Sequence, residues 1–234
     1  MIAVRRSDDR GFADHGWLRA RHTFSFAGYR DRRHMGFGPL RVINEDEVAP
    51  GRGFATHPHD NMEIVTYVLD GALRHDDSTG GGGTLRFDDV QVMTAGSGLA
   101  HSEKNASTTE PLRLIQIWIK PRERDLPPAY ADRRFDPAGA RNALQPLAAP
   151  AGTGLGALPI NQDATISRAV LDAGVELPLR IEDGRRLWLH VVEGEARASD
   201  HDLAGGDALA SDEPGEVRVV AGAAGAHLLV FDLP

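Results

Sequence analysis

The sequence predicts an all-β fold, a barrel or a sandwich, and three observations carry that prediction. Short segments rich in Val, Ile, Leu and aromatic residues recur along the chain, each bounded by Gly, Asp or Pro. Helical periodicity is weak throughout. The 26 glycines and 14 prolines among 234 residues favour many turns over long helices.

In chain order, the first half offers strands at 39–44, 63–69, 84–87, 90–94 and 112–119. In the last of these, Arg113, Ile115, Ile117 and Ile119 share one face, while Leu112, Leu114, Gln116 and Trp118 share the other. Both faces are mostly apolar, so this strand is expected to be covered on both sides. Residues 135–164 shift to Ala, Gly and Pro and read as a connection over the surface. Strand signals resume at 167–171, 187–192, 216–220 and 227–231. The halves also echo each other: Tyr67-Val68-Leu69-Asp70-Gly71 matches His190-Val191-Val192-Glu193-Gly194 at an offset of 123.

Two clusters stand out chemically, His57-Pro58-His59 and, some forty residues later, His101-Ser102-Glu103. Residues two apart on a strand point to one face, so each cluster can present two ligand-type side chains to one cavity. Three imidazoles and a carboxylate suit a divalent transition metal, with Fe, Ni, Cu, Mn and Zn all admissible. The offset of 123 places Arg180, Glu182 and Arg186 where the first half has His57, His59 and Glu63, so a second copy has lost the pattern. His75, in RHDDSTGGGG, reads as a solvated turn residue, and the glycine run as a hairpin tip rather than a phosphate loop. His22 and His34 lie among Phe24, Phe26, Met35 and Phe37, which reads as aromatic core ahead of cavity wall. The acidic residues 45–47 and 76–77 read as solvated surface.

A formal charge of −8 argues against nucleic acid or another polyanion as partner. The absence of cysteine excludes disulfides and thiolate metal sites. The N-terminal MIAVRRSDDRG has no apolar stretch of signal-peptide length, and no run approaches the roughly 18 apolar residues of a membrane span. A cytoplasmic protein without membrane contact is the expectation.

The spacing around the histidines is that of a known superfamily. Gly51, His57, His59 and Glu63 reproduce the first cupin motif, G-x5-H-x-H-x3-E, closed by Gly71, and Gly98, His101 and Asn105 reproduce the end of the second. Gly96 stands where that motif usually has Pro. The segments HGWLRARHTFSF (15–26), MGFGPLRVINED (35–46), THPHDNMEIVTYVLDG (56–71) and QVMTAGSGLAHSE (91–103) resemble the pirin family. So do QIWIKP (116–121) and PPAYADRRF (127–135), with a looser likeness beyond.

The resemblance implies a bicupin, two jelly-roll β-barrels facing each other with few short helices. The metal would lie in residues 1–135, and 136–234 would form a degenerate barrel without ligands. Carried over by position, the metal ligands are His57, His59, His101 and Glu103, with Glu63 beside them orienting an imidazole. Bacterial pirins of this type imply a metal-dependent dioxygenase acting on a flavonol such as quercetin. O2 would add across C2 and C4 with release of CO. Glu103 would act as the catalytic base for the 3-hydroxyl. Iron is the first expectation, with Ni, Cu, Mn or Zn able to use the same ligands. The alternative is a metal-containing regulatory or redox-sensing protein that acts through protein partners. A sugar-phosphate isomerase would want cations near the ligands, for which Arg52 and Lys104 are the candidates. The chain is expected to be a monomer.

Overall fold

The computed structural model describes residues 2–234 and is built almost entirely of strands. Among these residues the helical elements are two single 3-10 turns, Ser7–Asp9 and Pro137–Ala140. No helix is long and apolar enough to cross a membrane.

Two β-barrels face each other. In the first, a seven-stranded sheet runs in the order Ala129–Arg134, Asp89–Thr94, Glu63–Asp70, Leu112–Ile119, Leu40–Val48, Leu18–His22, Gly11–Asp14. A four-stranded sheet closes over it in the order Gly53–His59, Leu99–Asn105, Ala72–Asp77, Gly82–Arg86. Alternation along Leu112–Ile119 explains the assembly. Ile115, Ile117 and Ile119 join Ile43, Val65 and Tyr67 in a core shared with Trp188, Leu229 and Phe231 of the second barrel. Leu112 and Leu114 point the other way and meet Val68, Leu73 and Leu85 inside the first barrel. Each such side chain contributes about 1.5–3 kcal/mol by leaving water. The strand is covered on both sides, as its two apolar faces require.

The second barrel is one nine-stranded sheet dominated by two long bent strands, Arg186–Ala198 and Gly215–Leu233. The segments 216–220 and 227–231 are therefore parts of a single strand. The small residues between them, AGAAGA, interrupt the hydrophobic signal, and the pairing with Arg186–Ala198 shifts register there, from Gly194 opposite Ala226 to Ala196 opposite Ala221. A further correction concerns one of its edges. Residues 135–164 do not merely cross the surface: Gln145–Pro150 and Leu158–Ile160 pair in parallel as strands of this sheet. Leu147, Ala148, Ala149 and Leu158 are buried, and Leu147, Ala148 and Leu158 join the core shared by the two barrels. Ala3–Arg5, from the other end of the chain, pairs with Ala208–Ser211 on the opposite edge.

The internal echo has structural content. Gly53–His59 and Glu176–Ile181 start 123 residues apart (176 − 53), as do Glu63–Asp70 and Arg186–Ala198 (186 − 63). Gly71 and Gly194 both adopt φ +80°. At the positions equivalent to His57 and His59, Arg180 and Glu182 form a solvent-exposed ion pair, 2.8 Å apart.

Candidate metal centre

The four-stranded sheet places its chemistry by register. His101 lies directly across from His57 on one neighbour and from Asp77 on the other, while Glu103 lies across from His75. Facing residues of antiparallel strands share a side of the sheet, so all of these side chains enter the barrel. Pro58, between the two histidines, is exposed.

Three imidazoles converge. The Nε2 atom of His101 lies 3.1 Å from that of His57 and 3.0 Å from that of His59. Hydrogen bonds at the far ring nitrogens decide which of these atoms are bare. The Ala55 carbonyl accepts from His57 Nδ1–H at 2.9 Å, leaving His57 Nε2 a lone pair. The Asp77 carboxylate accepts from His75 Nε2–H at 3.2 Å, so His75 Nδ1 is an acceptor. That atom receives His101 Nδ1–H at 3.4 Å, and His101 Nε2 is bare as well. Lone pairs this close repel unless a cation lies between them. Burial, then the charge of His57, lowers the His59 pKa to about 4. Burial, then His57 and His59, lowers that of His101 to about 3. Protons are therefore not the cation this arrangement accommodates at neutral pH, and neutral imidazoles are good ligands for a divalent transition metal. The donor set fits such an ion.

Glu103 stands behind His101. One of its oxygens lies within 4.8 Å of a ring nitrogen of His101 and of His75, a second potential ligand cluster that shares His101 with the first. The carboxylate is buried and accepts from Gln91 and Thr66 at Oε1 and from Gln116 at Oε2. Burial raises its pKa to about 7 against the opposing pull of Gln116, Thr66 and Gln91.

In front of the imidazoles opens a cavity of about 740 Å³, within the usual range for a small-molecule site. Trp17, Phe26, Phe54 and Trp118 wall it, and Arg52 and Lys104 stand at its rim. Trp118 packs edge-on against His59, with ring centres 4.9 Å apart, and against Phe26.

Several sequence readings change here. His75 is not a solvated turn residue but a fully buried strand residue stacked on Tyr130, part of the support of His101. Its parity with Leu73 on Ala72–Asp77 was the available signal, masked by the charged residues around it. The acidic runs are not uniformly solvated either, because Asp46 is buried and the Asp77 side chain is sealed. Glu63 orients no imidazole. It is buried and accepts from Thr94 Oγ1 at 2.9 Å and from the Asn161 amide at 3.2 Å, tying the first barrel to the segment that leads into the second. His22 belongs to the aromatic core and bonds Asn44, His34 pairs with Asp31, and Phe26 alone of that group reaches the cavity wall.

Fold and site together define a two-barrel cupin whose first barrel carries a histidine cluster beside an aromatic cavity. Residues 4–119 match the Pirin family model, and residues 147–233 match that of the quercetinase C-terminal cupin domain. The chain belongs to the pirin family. Quercetin 2,3-dioxygenase of Escherichia coli K12 is 42% identical over 235 residues, 100% of this chain and 99% of that protein. A pirin-like protein of Caulobacter vibrioides is 45% identical over 174 residues, 74% of this chain and 75% of its own length. The crystal structure of the bacterial pirin YhhW from E. coli in complex with nickel(II) has a TM-score of 0.93 and 41% identity, covering 100% of this chain and 99% of that one.

Proposed function

We propose that this pirin is a metal-dependent dioxygenase that cleaves a flavonol such as quercetin with O2 and releases CO. The observation that carries the reading is the convergence of three imidazole nitrogens, two of them bare, at the floor of an aromatic-walled cavity. Support from relatives comes from the E. coli protein named quercetin 2,3-dioxygenase, similar over 99% of its length.

In this reading His57, His59 and His101 hold one divalent metal, with Glu103 the fourth ligand group. Nickel is bound by the related YhhW, and iron fits the same donors. The metal, when bound, supplies Lewis acidity that makes an enolic hydroxyl easier to ionise. The chain does the rest. The aromatic walls orient a flat substrate and exclude water. Glu103, once loosened from the metal, would take the proton of the 3-hydroxyl, and Thr66, Gln91 and Gln116 hold its carboxylate in place. O2 then adds across C2 and C4 of the flavonol, and C3 leaves as CO.

The test is O2 uptake and CO release with quercetin, on protein reconstituted separately with Fe, Ni, Cu, Mn and Zn, with His57→Ala as the blank. Turnover with at least one metal, lost in the blank and in Glu103→Ala, is the expected result. Tight metal binding without O2 uptake for any metal would overturn it and favour a regulatory protein that acts through partners.

A further inference from the structure

One acidic side chain in the cavity has no structural employment. The inner face of the seven-stranded sheet forms the wall opposite the imidazoles, and it carries a row of polar groups where a barrel interior would otherwise be apolar. Nearly all of them are engaged. Asn44 bonds His22 at 3.0 Å. Gln116 donates to Glu103 at 3.0 Å, and Gln91 donates to both Thr66 and Glu103 at 3.0 Å. Asp46 is the exception. It shares the inner face of Leu40–Val48 with Val42, Asn44 and Val48, borders the cavity, and is only 7% exposed. Its Oδ1 is sealed from solvent without a hydrogen-bond partner, and among the described residues no cationic side chain pairs with the carboxyl. Burial, then Glu103 and Glu45, pushes its pKa up to about 7. A buried polar group left in this state destabilises the fold, so a compensating role is expected. Another buried group of the cavity wall, the Trp118 Nε1–H donor, also has no partner. Between the two, the wall runs four residues along the strands, roughly 14 Å at the usual rise.

We propose that Asp46 is a specificity-determining residue that hydrogen-bonds a phenolic hydroxyl of a polyhydroxylated flavonoid, on a ring remote from the one engaged at the imidazoles. The inference rests on the flavonol reading above and narrows it to substrates with hydroxyls beyond the 3-position. Oδ2 is the oxygen free to meet the ligand, since Oδ1 is sealed. The remaining cavity lining is dominated by aromatic surface, which binds any flat ring. Asp46 therefore supplies selectivity in addition to affinity: a site built to pair a hydroxyl discriminates against the analogue that lacks it.

The experiment measures equilibrium binding of quercetin and of 3-hydroxyflavone, which lacks the additional hydroxyls. The readout is quenching of tryptophan fluorescence, with Trp17 and Trp118 in the cavity wall. Metal-free and nickel-loaded protein are both titrated. Asp46→Ala is expected to weaken quercetin about 10-fold or more, the size of a hydrogen bond to a charged group, and to change 3-hydroxyflavone less than 2-fold. Asp46→Asn, whose amide oxygen still accepts, recovers most of the quercetin affinity. Both variants are expected to melt about 2–4 °C higher than the wild type, because an unpaired buried carboxyl is gone. Equal effects on the two flavonols, or none on either, would overturn the role of Asp46 while leaving the flavonol reading intact. Wild-type protein that binds neither flavonol would overturn both.

Discussion

His101 is gripped at both ends of its ring. Its Nε2 meets the other two imidazoles, and its Nδ1–H meets His75, which is itself tied to Asp77. The side chains of His75 and Asp77 are wholly buried, and Asp77 is itself fixed by Thr79 and Gly81, which donate to its other oxygen. Their contribution is to hold one tautomer and one ring angle at the centre. Partners of this kind usually change metal affinity 10–100-fold when removed. His75→Ala is therefore expected to weaken nickel(II) binding by about that factor, measured by competition with a chromophoric chelator. Asp77→Asn, which can still accept from His75, is expected to weaken it less. Unchanged affinity in His75→Ala would show that packing alone positions His101. At this scale the sequence disclosed the three central histidines, because i, i+2 spacing on a strand is a strong geometric signal. It concealed His75, Asp77 and Asp46, because a charged residue in a charged run resembles a solvated one unless its strand parity is already known.

Elements were legible where alternation was strong and hidden where small residues did the packing. Leu112–Ile119 and Glu63–Asp70 announce themselves through β-branched and aromatic side chains. Gln145–Pro150 does not, since Ala148, small and only weakly hydrophobic, packs with Leu147 into a core between the barrels that only the assembled fold creates. The repeat shows how two elements share a local device. Gly71 follows Glu63–Asp70 at φ +80°, and a Cβ there would lie 2.6 Å from the Pro111 carbonyl oxygen. Gly194, 123 residues later, has the same φ, and a Cβ would lie 2.3 Å from the Gly225 carbonyl oxygen. Both positions combine a left-handed backbone with a neighbouring strand pressed against the α-carbon. Gly71→Ala and Gly194→Ala are expected to destabilise by about 2 kcal/mol or more in urea unfolding. Gly174→Ala is the control, because φ is +72° there but nothing lies within 4 Å of its Cβ. It should lose only the backbone part, about 1–2 kcal/mol. Equal losses at all three would show that the close carbonyls yield without penalty.

The two barrels are joined by an apolar core and by buried polar ties, and the ties make the whole molecule sensitive to acid. Tyr67 and Asp88 of the first barrel receive the Arg168 guanidinium of the second, and the Tyr67 hydroxyl lies 3.2 Å from His227 Nε2. Because Arg168 already donates to the Tyr67 oxygen, the hydroxyl hydrogen is free to point at His227, which must accept it as a neutral ring. Burial, aided by Arg168 and opposed by Glu193 and Asp88, lowers the His227 pKa to about 4. The ordinary value in an unfolded chain is about 6.5. Above that pH neither state binds the proton and His227 makes its full contribution. As the pH falls from about 6.5 towards 4, the unfolded chain takes up a proton that the folded one refuses, and stability drops by up to roughly 1.4 kcal/mol per pH unit for this one group. Other buried histidines add to the acid loss, so the informative quantity is a difference. His227→Gln is expected to be less stable than the wild type at pH 7, with the gap narrowing or reversing by pH 4.5, as followed by urea midpoints at both pH values. A gap that stays constant with pH would mean that His227 is protonated as readily in the folded protein as outside it, and that the tie between the barrels tolerates a charged ring.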